Sequence, residues 1–421
     1  MSCATPRVTL RHRQAGLSLI ELMIAMVIGL VLILGLVQVF GASRQAYQLS
    51  QGIARNQENG RFAVDFLSRD LRMAGHTGCV NDQQLLTANA AGNPIGGNIR
   101  SLFLNQADRN SNNVAAAPFP LRFDVAIQGF DANGTEPEDT LAVATTPATA
   151  GSGDFSPALP ADLAALNPVV GSDIVVLRYF SPEETKIQGF FPGANPAVTY
   201  PDESAAGSTK VATGGHGLYA VADCGGATVF QATAAPGNTG MSVEASGKNL
   251  SALTFVGTYD GAPAYSAGQA SLFRAESVAY YVRKNDADQT PSLYRAHWQA
   301  APDGTLTAVQ EELVEGVESL QLLYGQDAAP LTSMPSGYIT QSKSAADLGD
   351  ATQAAAWRRV GSVQIGLLVR GGSERAASEQ AEIGQAGSLN VLAVDVDPPN
   401  DGHFRSVYET TVALRNRLFG N

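Results

Sequence analysis

The chain has 421 residues, a formal net charge of −12 and 44% hydrophobic residues. This acidic balance argues against a nucleic-acid partner, because that affinity comes from Lys and Arg neutralising phosphates. The length permits a sizeable core, and 43 glycines with 21 prolines imply the many turns of a β-rich body.

Residues 1–16 carry Arg7, Arg11, His12 and Arg13 and no acid. Such a basic stretch before an apolar one stays cytoplasmic by the positive-inside rule. The segment from Leu17 to Val37 is apolar except for Ser18 and Glu21 and has no proline. At a helical rise of about 1.5 Å per residue it reaches across a bilayer. Gly29 and Gly35 lie within it, either tolerated or allowing close helix approach. No small-residue cleavage pattern follows Phe40, so the segment is expected to be retained. Glu21 is the odd residue, since a buried carboxylate costs up to about 3 kcal/mol at a helix centre. Position alone leaves open whether it simply snorkels to the interface.

The string Gly16-Leu17-Ser18-Leu19-Ile20-Glu21 before an unbroken apolar helix resembles the class III leader of type IV pilins and pseudopilins. The resemblance implies that a prepilin peptidase cuts between Gly16 and Leu17 and methylates the new amino group of Leu17. Glu21 then becomes the fifth residue and neutralises the N-terminal amine of a neighbouring subunit. A carboxylate and an ammonium that would each resist an apolar filament core become acceptable as a pair. Leu17 departs from the phenylalanine usual in that family.

From Ser43 to Ala74 there is no proline, and Ile53, Phe62, Phe66, Leu67, Leu71 and Met73 recur at spacings near three and four. This predicts one helix from Leu17 to about Met73, with Gly52 and Gly60 as weak points and Gly75 and Gly78 as stop signals. Arg55, Glu58, Arg61, Asp65, Arg69, Asp70 and Arg72 decorate the other faces, and this amphipathic second half is expected to pack on a globular body. The chain thus divides into a leader (1–16), a transmembrane half-helix (17–40), an amphipathic half-helix (41–75), a loop-rich subregion (76–170) and a β-rich body (171–421). In the subregion strand signals are weak, "LRFDVAIQGF" being the best. Clear strands follow in "SDIVVLRYF", in "SVAYYVRK" with Val278, Tyr280 and Val282 on one face, and in "SVQIGLLVR" with Val363, Ile365, Leu367 and Val369 on one face. The terminal "SVYETTVALRNR" alternates in the same way, with Tyr408, Thr410, Val412 and Leu414 on one side. Strands separated by turn-rich loops argue for an α+β fold with a mainly antiparallel sheet.

The cysteines are Cys3, Cys79 and Cys224, and removal of the leader leaves two. Two cysteines in an exported domain usually pair, so a Cys79–Cys224 disulfide is expected; buried free thiols are the alternative.

Taken together, "FLSRDLRMAGHTGCV", "GSDIVVLRYF", "VADCGGATVFQAT", "LVEGVESLQLLYG", "WRRVGSVQIGLLVR" and "VYETTVALRNR" are similar to the PilW family of minor pilins. "LVEGVESLQLLYG" is also similar to the J-type minor pseudopilins of type II secretion, which are usually much shorter. The PilW resemblance implies a pilin-like fold and a place in the complex that initiates the type IV pilus and sits at its tip. Its partners would be other minor pilins, the major pilin, a PilY-type tip adhesin, prepilin peptidase and the inner membrane. The chain would cross that membrane once with its body in the periplasm, then move to the pilus tip, supporting twitching motility and adhesion. A J-type pseudopilin is the alternative.

No chemistry competes with this. G-x-S-x-G, H-E-x-x-H, Walker A and G-x-G-x-x-G patterns are all missing. The histidines, His12, His76, His216, His297 and His403, are scattered. "DRNSNN" from Asp108 begins like a calcium loop, but Asn113 and Phe119 stand where glycine and the closing glutamate belong. The acidic loops "DADQ" and "VDVDPPNDG" are solvated turns or a calcium site. No enzyme and no cofactor are expected.

Overall fold

The computed structural model describes residues 16, 18–80, 99–111, 113–143, 146–191, 195–253, 258–259, 262–263, 265–287, 289–333, 335–350, 353–371, 387–399, 401 and 403–417. One helix, α1 (Leu19–Met73), runs for 55 residues. Ser18 caps it, its Oγ accepting the Glu21 N–H at 3.2 Å. The helix ends at Ala74, and Gly75 follows in the left-handed region with φ +74°, as its stop signal predicts.

Two large sheets dominate the body, beside three small ones of two or three strands among the described residues. The first has nine strands. They are β1 (Ile99–Ser101), β2 (Ile127–Ala132), β3 (Phe155–Ser156), β4 (Ile174–Lys186), β5 (Leu218–Ala222), β6 (Ala227–Gln231), β7 (Ser271–Lys284), β8 (Pro291–Ala300) and β9 (Leu306–Glu315). The main order is β1-β6-β5-β7-β4-β2-β3. One edge of β7 pairs with β4 through residues 271–280. Its other edge is shared: β5 takes residues 271–274, and β8 takes residues 278–284 with β9 beyond it. The sheet therefore forks along β7.

The second sheet has the order β11-β10-β12-β13, from β10 (Val317–Asp327), β11 (Ile339–Lys343), β12 (Val360–Arg370) and β13 (Arg405–Ala413). Its ladders are antiparallel. Parallel pairing occurs between β1 and β6, and between Val394–Asp397 and Thr140–Ala142. The architecture is thus the expected long helix on a mainly antiparallel α+β body.

The chain passes from β9 into β10 at Gly316. Its φ of +85° suits glycine, and a Cβ there would press on the Arg370 carbonyl. Gly316 donates to Pro291 O at 2.8 Å and accepts from Arg370 N at 2.8 Å, so it ties both sheets. The main core lies between the sheets and α1. It gathers Leu67 and Leu71 from the helix, Val278, Tyr280 and Val282 from β7, and Val363, Ile365, Leu367 and Val369 from β12. The faces read on β7 and β12 are buried there, whereas on β13 Val412 is buried and Tyr408 and Thr410 are only half-buried. "LRFDVAIQGF" is strand only over Ile127–Ala132, because Pro118 and Pro120 favour a 3-10 turn over Phe119–Leu121.

Candidate assembly site: the N-terminal helix and its seat

The helix has two environments. From Leu19 to Phe40 its large apolar side chains are exposed, and the span is long and apolar enough to cross a membrane. Glu21 is exposed, at the third helical position behind the Ser18 cap. An acid there is favoured by the N–H groups of the first turn. Gly16 lies just before the cap, whereas Leu17, residues 1–15 and the leader's basic residues fall outside the described part.

The second half is seated on the body through part of the stripe read from sequence, Leu67 and Leu71 being fully buried, together with small and polar residues. The buried helix residues are Asn56, Gly60, Ala63, Leu67, Ser68, Asp70 and Leu71. Phe62 and Phe66 remain 48% and 37% exposed. Small residues win the contact face because the body brings its own bulk to it. A Cβ on Gly60 would overlap the Tyr408 ring of β13, so the glycine that looks like a helix weakness is what lets that ring in.

Polar pins fix the register of the seat. Asn56, fully buried, donates from Nδ2 to Val369 O at 2.6 Å, and its Oδ1 accepts from the Tyr408 hydroxyl at 2.8 Å. Asn59 Nδ2 donates to Glu315 O at 2.9 Å. Asp70 Oδ2 accepts from the Tyr280 hydroxyl at 2.8 Å and pairs with Arg295 Nε at 3.0 Å. Burial pushes the Tyr280 hydroxyl well above its ordinary range and Asp70 adds to this, so Tyr280 stays a protonated donor. Asn416 Nδ2 donates to the Arg72 carbonyl at 3.0 Å at the end of α1. Sequence reading missed Asn56, Asn59, Gly60 and Asp70. The signal was present, since Asn56, Gly60, Ala63, Leu67 and Leu71 follow helical spacing, but a search for large apolar residues passes over it.

Past the helix, Gly75 N donates to Arg178 O at 3.2 Å and Phe180 N to His76 O at 2.7 Å. Cys79 is disulfide-bonded to Cys224, in the turn between β5 and β6, with a Cα–Cα distance of 4.6 Å. The bridge spans 145 residues of sequence and fastens the end of the helix to the first sheet.

Residues 11–37 match the prokaryotic N-terminal methylation motif, and residues 279–416 match the family of the type IV pilus-assembly protein PilW. The chain carries a PilW-family domain behind a prepilin methylation motif. Together the two matches support a pilin related to the type IV pilus. Nothing matches it among curated proteins or solved structures. Among the described residues, every side-chain hydrogen bond and ion pair joining α1 to the body runs to a residue inside the PilW match: Tyr280, Arg295, Glu315, Val369, Tyr408 and Asn416. The family region therefore supplies the polar pins of the seat, while Leu67 and Leu71 also share the core with Val175 and Leu177, outside the match.

The PilW family is a structural pilus component. No three His, Cys, Asp or Glu side chains converge as a metal centre among the described residues. The Asp108 carboxylate is instead engaged by the Asn105 and Asn113 amides, at 2.5 and 2.8 Å. Residues 112, 288, 400 and 402 of the calcium-like loops lie outside the described part.

Proposed function

We propose that the chain is a minor pilin of the type IV pilus, acting in the complex that initiates the fibre and stays at its tip. Prepilin peptidase cuts between Gly16 and Leu17 and methylates Leu17. The freed helix stays in the inner membrane with the body in the periplasm, a compartment that suits the Cys79–Cys224 disulfide. Glu21 then pairs with the N-terminal amine of an adjoining pilin and admits the chain to the filament. Its neighbours are other minor pilins, the major pilin and a PilY-type adhesin, through which it supports twitching motility and adhesion. A body as large as residues 76–421 suits a tip better than a packed shaft.

The observation that carries this reading is the coincidence of the PilW match with the polar pins of the helix seat, behind an exposed apolar half-helix that begins at a methylation motif. A clean deletion in the source bacterium tests it. Loss of surface pili and twitching with normal exoprotein secretion is expected. Lost secretion with normal pili would assign the chain to the J-type pseudopilins instead. Glu21→Val should be processed normally yet be strongly depleted from sheared fibres; equal recovery with the parent would remove the charge-pairing role.

A further inference from the structure

His216 and His297 are scattered in sequence but meet in the fold. His216 lies on the loop entering β5, and His297 and Gln299 alternate on one face of β8. The imidazole ring centroids are 4.5 Å apart, tilted by 40°. Gln299 Nε2 stands 3.0 Å from His297 Nε2 and 3.3 Å from His216 Nδ1. An amide NH2 is only a donor, so both ring nitrogens turn lone pairs towards one point. With the amide reversed, its oxygen would face the same two nitrogens, and the three groups still share one centre.

The backbone beneath this centre is pinned. Ala300 N donates to His216 O at 2.9 Å, and Gly217, with φ +83°, lies so close to the Ala300 carbonyl that a Cβ would collide with it. On the open side lies a pocket of about 280 Å³, whose lining includes Gly215, Gly217, Pro302 and Thr307 beside His216 and Gln299. All three side chains are half-buried, so solvent reaches the centre. The nearby cation on the same strand face, Arg295, is already paired with Asp70.

We propose that His216, His297 and the Gln299 amide oxygen bind one divalent transition-metal ion of the copper, nickel and zinc class. Two imidazole nitrogens and one amide oxygen are borderline ligands that favour these ions over calcium or magnesium, and Cu2+ heads the affinity order. The amide side chain rotates to present oxygen, and water from the pocket completes the coordination. With two histidines and no third anionic or imidazole ligand, binding is reversible, unlike a closed structural zinc site. The site lies at the fork of the first sheet, where β5 and β8 part along β7, so the ion would clip the two branches together. It lies outside the helix seat and is independent of the role in pilus assembly.

The test uses the untagged full-length chain in detergent, titrated with CuCl2, NiCl2 and ZnCl2, with CaCl2 and MgCl2 as controls. One equivalent of Cu2+ should bind most tightly, with an electron paramagnetic resonance spectrum showing coupling to two imidazole nitrogens. His216→Ala and His297→Ala should each weaken binding by about tenfold or more, while His76→Ala and His403→Ala leave it unchanged. Metal should raise the thermal midpoint of the parent and not of the two site variants. Binding that survives the double His216→Ala, His297→Ala variant overturns the proposal. So does a parent Cu2+ spectrum without two-imidazole coupling, which needs no variant to fold.

Discussion

The two halves of α1 share one helix and meet their surroundings in opposite ways. The first half is almost wholly apolar, and among the described residues a Cβ at Gly29 or Gly35 would find no atom of the body within 4 Å. The second half is mixed and polar, yet it is the half that is held. Apolarity alone therefore does not set how this helix sits on its body, although Ala63, Leu67 and Leu71 are buried in the core. Shape at Gly60 and hydrogen bonds made by Asn56, Asn59 and Asp70 fix the register, and the apolar surface of the first half is left for a membrane or for other subunits. A seat built from buried polar pins is specific in register, because each pin left unsatisfied is costly.

That contrast can be attacked at several points. The largest effect is expected at the end of the seated half. Replacing Cys79 and Cys224 together by serine should cost about 5 kcal/mol, as expected for a loop of 145 residues in the chain-entropy model. Urea unfolding in detergent, followed by the fluorescence of Trp298 and Trp357, measures it; an unchanged midpoint would mean that the seat holds the helix end without the bridge. Next, Asp70→Ala strips Tyr280 and Arg295 of their shared partner. Arg295 is about a quarter exposed, which softens the loss to about 2–3 kcal/mol in the same assay.

Glycine substitutions compare the halves directly. Gly60→Ala should destabilise by about 1–2 kcal/mol, because the Tyr408 ring must move by more than the gain in helix propensity returns. Gly35→Ala meets open space and should be neutral or stabilising by up to about 1 kcal/mol, the gain in helix propensity. Equal effects at the two sites would erase the distinction between free and seated halves.

The smallest effect concerns the seam between the sheets that form the seat. Asp173 is buried there, its carboxylate accepting from Ala132 N at 2.9 Å and Leu322 N at 2.8 Å. Burial pushes neighbouring Asp131 up to about 7; the Ser344 hydroxyl opposes this, and Glu136, Asp347 and Asp139 add repulsion. Because the folded chain holds this proton more tightly than the unfolded chain, the contribution to stability is greatest at low pH. It is lost as pH rises from the ordinary carboxylate range through about 7. Asp131→Asn should flatten that slope and recover about 1 kcal/mol at neutral pH and above. A parent stability that does not fall over this window would show that the seam is not titrating.

Much of the fold was legible because it rests on local periodicity. Val363, Ile365, Leu367 and Val369 alternate on a strand whatever covers them, and their shared face could be read before its partner was known. Leu19 to Phe40 is long and apolar, and Gly75 follows the last helical turn as a stop. The helix seat was read wrongly at Phe62 and Phe66 because hydrophobicity was taken for contact. The His216–His297 pair could not be read at all, since a loop and a distant strand meet only through the pairing of β5 and β8 along β7.

By itself, then, the sequence determined the apolar helix with its methylation motif, the strand faces and the cysteines available to pair, because each depends on residue type and short-range spacing. Only the tertiary structure decided that Gly60 receives Tyr408, that Asp70 meets Arg295 and that the first sheet forks along β7. Those contacts join residues far apart in the chain, and their partners are chosen by how the two sheets and the helix fill common space.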